Sequence, residues 1–228
     1  MSSYAVDTLT KEVRVCLDMN YSDAMLLDLG DNDTLELDEL IKSKIVDAAR
    51  IITSRAPQHL LDAGRAMSGS IAWPSNKVGF GSGQIKLPDD FLRLLSFKMS
   101  DWSTSVSEPI TEENPQYLVQ SSPVAALRGN PRRPVVAIVH HTDGLRLEFY
   151  SCNTANVAVT KARYIPIPKI VNNSIELCEK LKPSIVYCAA AMTALSLGDD
   201  TQGKRMMDMS ESLLTSPHEI TNDGNPNQ

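Results

Sequence analysis

The histidine and aspartate residues that could do chemistry lie in two short runs. His140 and His141 stand just before Asp143, a combination that could suggest a metal site or acid–base catalysis. Successive residues of a strand point to opposite faces, however, so the two imidazoles cannot easily reach one ion. Asp89 and Asp90 follow a proline, which favours a turn over a pair of working carboxylates.

The glycine-rich run and the cysteines also lack a recognisable binding pattern. Residues 79–83 read Gly-Phe-Gly-Ser-Gly but lack the Lys-Ser/Thr of a phosphate-binding loop, and a strand, not a helix, is predicted to follow. Cys16, Cys152, Cys178 and Cys188 form no Cys-x-x-Cys pair, so we expect buried free thiols. We therefore predict no catalytic residue, no metal and no cofactor, and interpret the protein as not an enzyme.

Helices are indicated near both ends of the chain by apolar residues at helical spacing. Capping residues and acids precede the second helix, and Pro183 and Gly198 mark the ends of an alanine-rich one. The last helix is predicted to carry Met206, Met209 and Leu213 on its apolar face, in the core or in a subunit contact. The predicted helices cover residues 5–19, 37–55, 183–197 and 202–214, with short ones at 114–120 and 173–181.

The middle of the chain, residues 84–165, changes to the two-residue alternation of β-strands. A half-buried strand is predicted over 95–99, and three antiparallel strands over 135–141, 145–150 and 156–164. Asp143-Gly144 predicts a type I′ hairpin turn. The predicted fold class is α+β: a helical bundle with an antiparallel β-sheet insertion, in one domain over residues 1–214.

Charge is distributed unevenly, although the chain as a whole carries −6. Residues 1–40 hold ten acidic and two basic residues, whereas the 122–165 stretch is locally basic. Such asymmetry can complement a neighbouring subunit, so we predict that Asp31 and Asp33 of one copy face Arg132 and Arg133 of the next. The alternative is an ordinary solvated surface.

Composition also limits the possible partners. The longest charge-free apolar run, residues 185–197, is shorter than the roughly 20 residues that span a bilayer, so we expect no membrane partner. The basic stretch lacks interleaved aromatic residues, which argues against a dedicated nucleic-acid site. Residues 215–228 are polar and contain proline and glycine, so we predict a flexible C-terminal arm.

Four elements in this order resemble the head-to-tail connector (adaptor or ring) proteins of tailed bacteriophages, of the short-tailed or crAss-like type. They are the helix at 37–55, the strand entry Leu-Pro-Asp-Asp-Phe-Leu-Arg at 87–93, the middle strands, and the closing helical pair from Tyr187 to Leu214. The acidic N-terminal segment and the proline-rich middle depart from that pattern.

The resemblance implies a structural virion protein that is assembled in the host cytoplasm. It implies a dodecameric ring beneath the portal that joins head to tail, contacts the portal and further tail or ring proteins, and lets genomic DNA pass without specific binding. It also implies that the arm contacts the portal, with Pro217, Ile220 and Asp223 as candidate residues. The alternatives are another tail-completion or assembly protein and, less favoured, a small enzyme without a recognisable motif.

Overall fold

A computed structural model describes residues 1–17, 37–73, 81–120, 122, 124 and 127–215. The chain forms two compact units. We call residues 1–62 and 168–228 the helical unit and residues 63–167 the β unit. The β unit is inserted in the sequence of the helical unit, and the predicted α+β class is confirmed.

The helices and strands are numbered here in chain order. They are β1 (Ser2–Ala5), α1 (Val6–Cys16), α2 (Leu37–Arg55), β2 (Arg65–Ala66), β3 (Gly83–Lys86), β4 (Phe91–Met99), β5 (Ile110–Thr111), α3 (Pro115–Gln120), β6 (Val136–His141), β7 (Gly144–Phe149), β8 (Val159–Pro166), β9 (Ile170–Val171), β10 (Ser174–Leu177), α4 (Lys182–Ser196) and α5 (Asp200–Ser212). The four long helices agree with the predicted ranges to within three residues at the ends that the structure describes.

Helix α4 forms the centre of the helical unit, in contact with α1, α2 and α5. It is charge-free after its first residue, and its alanines at 189, 190, 191 and 194 are buried. Small side chains let neighbouring backbones approach closely, so one helix can pack against three others. Gly198, with φ +86°, ends this helix, and the Asp199 side chain caps α5 by accepting a hydrogen bond from the Gln202 N–H at 2.9 Å.

Helix α5 does not bury the predicted apolar stripe. Gly203 and Ser210 face α4 instead, while Met209 and Leu213 are 47% and 42% exposed. The close approach explains the difference: a Cβ at Gly203 would lie 2.7 Å from Leu195 Cγ. Small residues therefore determine which face of α5 contacts α4, and a hydrophobic pattern does not reveal such a face.

The helical unit also contains a small antiparallel sheet of order β1–β10–β9. A helix was predicted over 173–181, and this is wrong, because β10 and a 3-10 turn at Glu179–Leu181 occupy that range. Asn172 and Asn173 have φ +49° and +58°, so they form the two-residue turn between β9 and β10. Positive φ at both central residues is what a type I′ turn requires.

The β unit contains two sheets, of order β2–β8–β4 and β3–β7–β6–β5. Strand β8 was predicted to pair with the preceding strands, but it pairs antiparallel with β4, on the other sheet. Strand β4 extends from Phe91 to Met99, and β-bulges interrupt its register with β8. Strand β5 pairs parallel with β6, so this second sheet is not purely antiparallel.

The β6–β7 hairpin places its turn one residue earlier than predicted. His141 pairs with Gly144, which makes Thr142 and Asp143 the central residues. Among the three residues from Thr142 to Gly144, only Gly144 has a positive φ, +120°, so the turn is not of type I′. The alternation along β7 is nevertheless as predicted: Leu147 and Phe149 are fully buried on one face.

Candidate functional site

The two aspartates at 89 and 90 have a structural role in the β unit. The Phe91 N–H donates to the Pro88 carbonyl at 3.0 Å, which closes a turn over both aspartates. The Asp90 carboxylate accepts from Arg65 Nη1 at 3.0 Å and from the Tyr164 hydroxyl at 2.9 Å. The prediction of turn chemistry at this position is confirmed.

The described part of the glycine run packs against Cys152. Gly81 has φ +89°, and a Cβ there would lie 2.1 Å from the Cys152 carbonyl oxygen. Gly83 begins a strand, as predicted, while Gly79 and Phe80 lie outside the described residues. Glycine is needed here for close backbone packing and for a left-handed conformation.

All four cysteines are free thiols. Cys152, Cys178 and Cys188 are buried as predicted, whereas Cys16 is only partly buried. Burial, followed by the charge of Asp101, raises the pKa of Cys152 to about 12. Thiols held protonated in this way are poor nucleophiles and poor metal ligands.

The second face of the β3–β7–β6–β5 sheet carries a buried carboxylate. Glu148 is 2% exposed, and it accepts hydrogen bonds from the Tyr150 hydroxyl and, at 3.2 Å, from the Tyr117 hydroxyl of α3. His141 Nε2 lies 3.2 Å from the other carboxylate oxygen of Glu148, Oε1. We call these four side chains the Glu148 cluster.

The Glu148 cluster attaches α3 to the sheet. Tyr117 and Tyr150 meet edge to face, with ring centroids 6.4 Å apart, above Ala137 and Val139. Burial, and then the hydrogen bond to Glu148, raises the pKa of Tyr150 far above its usual range. Burial also raises the pKa of Tyr117. The two phenols therefore stay protonated donors at neutral pH, which compensates a buried carboxylate.

The two adjacent histidines are successive residues of β6, whose side chains alternate between the two faces of the sheet, as predicted. The His141 ring contacts Glu148, and the backbone N–H of His140 donates to Glu112 Oε1 at 3.2 Å. Within the described residues, no group of three or more His, Cys, Asp or Glu side chains is placed to hold a metal ion. None of the described helices is long and apolar enough to cross a membrane.

An apolar groove of about 460 Å³ lies between α1 and α4 in the helical unit. Its apolar lining comes from Val15, Cys16, Pro183, Val186 and Tyr187, and its polar lining from Thr8, Lys11, Glu12 and Lys182. An ion pair of 2.6 Å between Lys182 Nζ and Glu12 Oε1 lies within the lining, and Val15 is 66% exposed. The groove shares no residue with the Glu148 cluster.

The β unit exposes aliphatic side chains on and after α3. Leu118, Val119, Val124 and Leu127 are 76%, 37%, 52% and 61% exposed. We call residues 118–127 the exposed segment; residues 121, 123, 125 and 126 of it lie outside the described part of the chain. Exposed apolar patches are typical of interaction surfaces.

The exposed segment is held at both ends. Gln120 is 3% exposed, and its Oε1 accepts from the Gly129 N–H at 2.8 Å. A Cβ at Gly129 would lie 2.3 Å from Ser151 Oγ, so the backbone must be close there. This hydrogen bond joins residue 129 to the end of α3.

The predicted intersubunit arginines follow Gly129 closely in the sequence. Arg132 and Arg133 are exposed, and their backbone N–H groups donate to Asn130 Oδ1 at 3.0 and 3.1 Å. Asp31 and Asp33, and the arm residues Pro217, Ile220 and Asp223, lie outside the described residues. Their predicted roles remain predictions.

Comparison with known proteins adds no relative to this description. No protein-family model matches the chain, and no curated protein matches it.

Sequence reasoning missed Glu148 and the exposed segment for different reasons. Glu148 alternates with apolar residues and therefore resembles a solvent-facing strand residue. Its partner Tyr117 lies 31 positions earlier, on a six-residue helix. The pair Leu118-Val119 is equally compatible with a core face and with an interface, and a hydrophobic pattern cannot tell the two apart.

Proposed function

We propose that this protein is a structural subunit of a bacteriophage particle, a connector that forms a ring beneath the portal and joins head to tail. The observation that carries this proposal is the pair of open apolar surfaces, the groove of the helical unit and the exposed segment of the β unit. A chain with two such surfaces is suited to contacting two neighbours. The α+β fold with an inserted β unit agrees with the sequence resemblance.

The Glu148 cluster does not favour an enzyme. Its carboxylate is almost fully buried, and the three named partners compensate it. A catalytic carboxylate must reach a substrate, usually from a cleft. The cluster is better explained as the attachment of α3, which in turn carries the beginning of the exposed segment.

The test of this function is to locate the protein in intact particles. We expect an epitope-tagged copy to be found at the portal vertex, and lysine cross-linking of the particles to recover links between copies of this chain. A label elsewhere on the tail indicates another assembly protein. Absence of the chain from particles contradicts any virion role.

The C-terminal arm has its own test within this function. Truncation after Leu214 removes the candidate portal contacts at 217, 220 and 223, and we expect weaker docking on portal-bearing heads, because an extended segment can add to a sheet edge of the portal. Docking as tight as that of the full chain contradicts the role of the arm and leaves the ring untouched.

The overall charge of −6 supports passage of DNA without specific binding. Each phosphate that a protein neutralises adds affinity through counterion release, and multiple contacts would hold the DNA in the channel. We expect the purified chain to bind duplex DNA only weakly at physiological salt. Tight binding under these conditions contradicts a passive channel.

A further inference from the structure

We propose that one outer sheet face of the β unit binds a carboxylate-rich segment of another protein. The face belongs to the β2–β8–β4 sheet and carries Lys98, Lys161 and Arg163; we call it the basic face. This inference goes beyond the proposed ring, because the two apolar surfaces that support the ring share no residue with the basic face.

The register of β4 with β8 places the three cations together. Lys98 lies directly opposite Lys161, and Ser96 lies directly opposite Arg163. Opposite residues of an antiparallel pair, and residues two apart along a strand, point to the same face. Phe97, between Ser96 and Lys98, points to the other face and is fully buried in the core. The basic face is therefore the outer face of this sheet.

The segment that contains Arg132 and Arg133 adjoins the basic face. Lys98 Nζ donates to the Ser103 carbonyl at 3.3 Å, and Ser103 Oγ donates to the Arg132 carbonyl at 3.2 Å. Arg132 and Arg133 are both exposed. Neighbouring segments of the β unit thus bring five positive charges to one region of its surface.

Within the described residues, no carboxylate compensates this charge. Strands β4 and β8 contain four basic residues and no acidic one. None of the five cations forms an ion pair with a described residue, and Arg163 donates instead to the carbonyls of Ala63 and Gly64, at 2.7 and 3.5 Å. Asp101, just after β4, accepts a hydrogen bond from the Asn153 N–H at 2.8 Å.

The opposed pair Lys98–Lys161 is unfavourable for folding. Like charges directly opposite each other on neighbouring strands destabilise a sheet. Departures from such local rules that have no compensating contact are expected at functional sites. Binding of an anion would turn the repulsion between the two lysines into a favourable interaction, so a negatively charged partner explains the pair better than folding does.

The chemistry of the basic face favours protein carboxylates over nucleic acid. Proteins that hold single strands stack the bases on aromatic side chains, and none of residues 96, 98, 161 and 163 is aromatic. Long duplex DNA would also meet the repulsion of a chain that carries −6, whereas a short acidic segment meets only the basic face. Ammonium and guanidinium groups bind carboxylates through charge-assisted hydrogen bonds.

The described part of this chain offers no acidic counterpart to the basic face. In the helical unit the described residues include twelve acidic and eleven basic ones, so their charges nearly balance. The β unit is itself basic, with eleven basic and eight acidic residues in its sequence. We therefore assign the basic face to a different protein with clustered carboxylates, and not to a second copy.

The experiment measures binding of a short fluorescein-labelled polyglutamate peptide to the purified full chain by fluorescence anisotropy. Lys161→Glu converts the opposed pair into one of opposite charge, so we expect unfolding at a higher urea concentration than for the native chain. We also expect peptide binding to weaken about tenfold or more. A variant that is more stable than the native chain and binds less cannot owe its loss to misfolding.

The matched control is Lys204→Glu, which makes the same change of charge at an exposed position of α5. We expect its peptide binding to stay within about twofold of the native value, because salt screens a distant charge. Equal weakening by Lys161→Glu and Lys204→Glu would show that net charge governs binding, and would overturn the proposal. No measurable binding of the peptide to the native chain overturns it as well.

Two further outcomes would identify a different partner. Binding of duplex DNA more tightly than the peptide at physiological salt would assign the basic face to nucleic acid. Self-association of the native chain that Lys161→Glu abolishes would assign it to a second copy. Either result contradicts the partner proposed here, whereas the ring is tested separately by locating the chain in intact particles.

Discussion

The helical unit and the β unit bury polar groups in different ways. In the helical unit, Ser184 and Ser210 form reciprocal hydrogen bonds of 2.8 and 2.9 Å between side-chain hydroxyls and backbone carbonyls. In the β unit, the buried polar side chains include the ionisable Glu148 beside neutral serines and a glutamine. Neutral hydroxyls cost little to desolvate, so they allow close packing, whereas a carboxylate depends on its donors.

This difference indicates which substitutions should destabilise each unit. The α4–α5 contact leaves no room for larger side chains, because glycine, serine and alanine let the two helices approach closely. The stability of the contact between α3 and the sheet depends on its hydrogen bonds, because tyrosines, a carboxylate and a histidine form it. The four predictions below use unfolding by urea as the common measurement, from the largest effect to the smallest.

Glu148→Ala should destabilise the protein most, by about 3 kcal/mol, because it removes the carboxylate acceptor shared by the buried Tyr150 hydroxyl and the part-buried Tyr117 hydroxyl. Glu148→Gln retains an acceptor oxygen and should lose less. The control is Glu113→Ala at an exposed neighbouring position, with little effect expected. If Glu148→Ala and Glu113→Ala unfold at the same urea concentration, the Glu148 cluster contributes no stability.

Gly203→Leu should cost about 2 kcal/mol despite the better helix propensity of leucine, because the new side chain meets Leu195 and the Ala191 carbonyl. Arg205→Leu adds the same side chain to the exposed face of α5 and should be nearly neutral. If both variants unfold at the wild-type urea concentration, α4 and α5 are not closely packed.

Ser210→Ala should cost about 1 kcal/mol, because one neutral hydrogen bond is lost while Ser184 Oγ still donates to the residue 210 carbonyl. The double variant with Ser184→Ala should cost less than the sum of the single variants, since both side chains share one contact. A loss as large as that of Glu148→Ala would remove the distinction drawn between the two units.

Asp143→Asn and Asp7→Asn should have the smallest effects, because both carboxylates are exposed. Arg146 lowers the pKa of Asp143, and Asn173 and Lys42 lower that of Asp7. A carboxyl group with a lowered pKa in the folded state adds stability above its unfolded pKa, near 3.8, and loses it as pH falls through the folded value.

The two exposed aspartates should therefore behave alike, one in each unit. We expect a small loss of stability for either variant at pH 7 and a smaller difference from the wild type at pH 3. A loss that grows on acidification has the wrong sign for these ion pairs and contradicts the assignment.

The helices were predictable because their signals are local. The apolar spacing of α1 and α2, Pro183 at the start of α4 and Gly198 at its end are all visible within a few residues. The β9–β10 hairpin had a signal too: Ile170-Val171, then Asn172-Asn173, then an alternating strand. Its assignment to a helix was an error of interpretation.

No local sequence pattern predicted which strands pair or which polar groups are buried. The pairing of β8 with β4 joins residues 60 or more positions apart, and alternation along a strand does not say which edge it meets. The candidate assembly surfaces could not be predicted from the sequence either. Leu118 and Leu147 are the same residue type, yet Leu118 is exposed and Leu147 is fully buried.

Local order along this chain thus follows from its amino-acid pattern: helices at both ends, strands between them, free cysteines and an uneven charge. The tertiary structure decided which faces meet. Gly203 and Ser210 displaced Met209 and Leu213 from the core because short side chains let two backbones approach. Glu148 became buried because Tyr150 on its own side of the sheet and Tyr117 on α3 both donate to it. Contacts between residues far apart in sequence depend on the whole packing arrangement, and no local pattern contains that information.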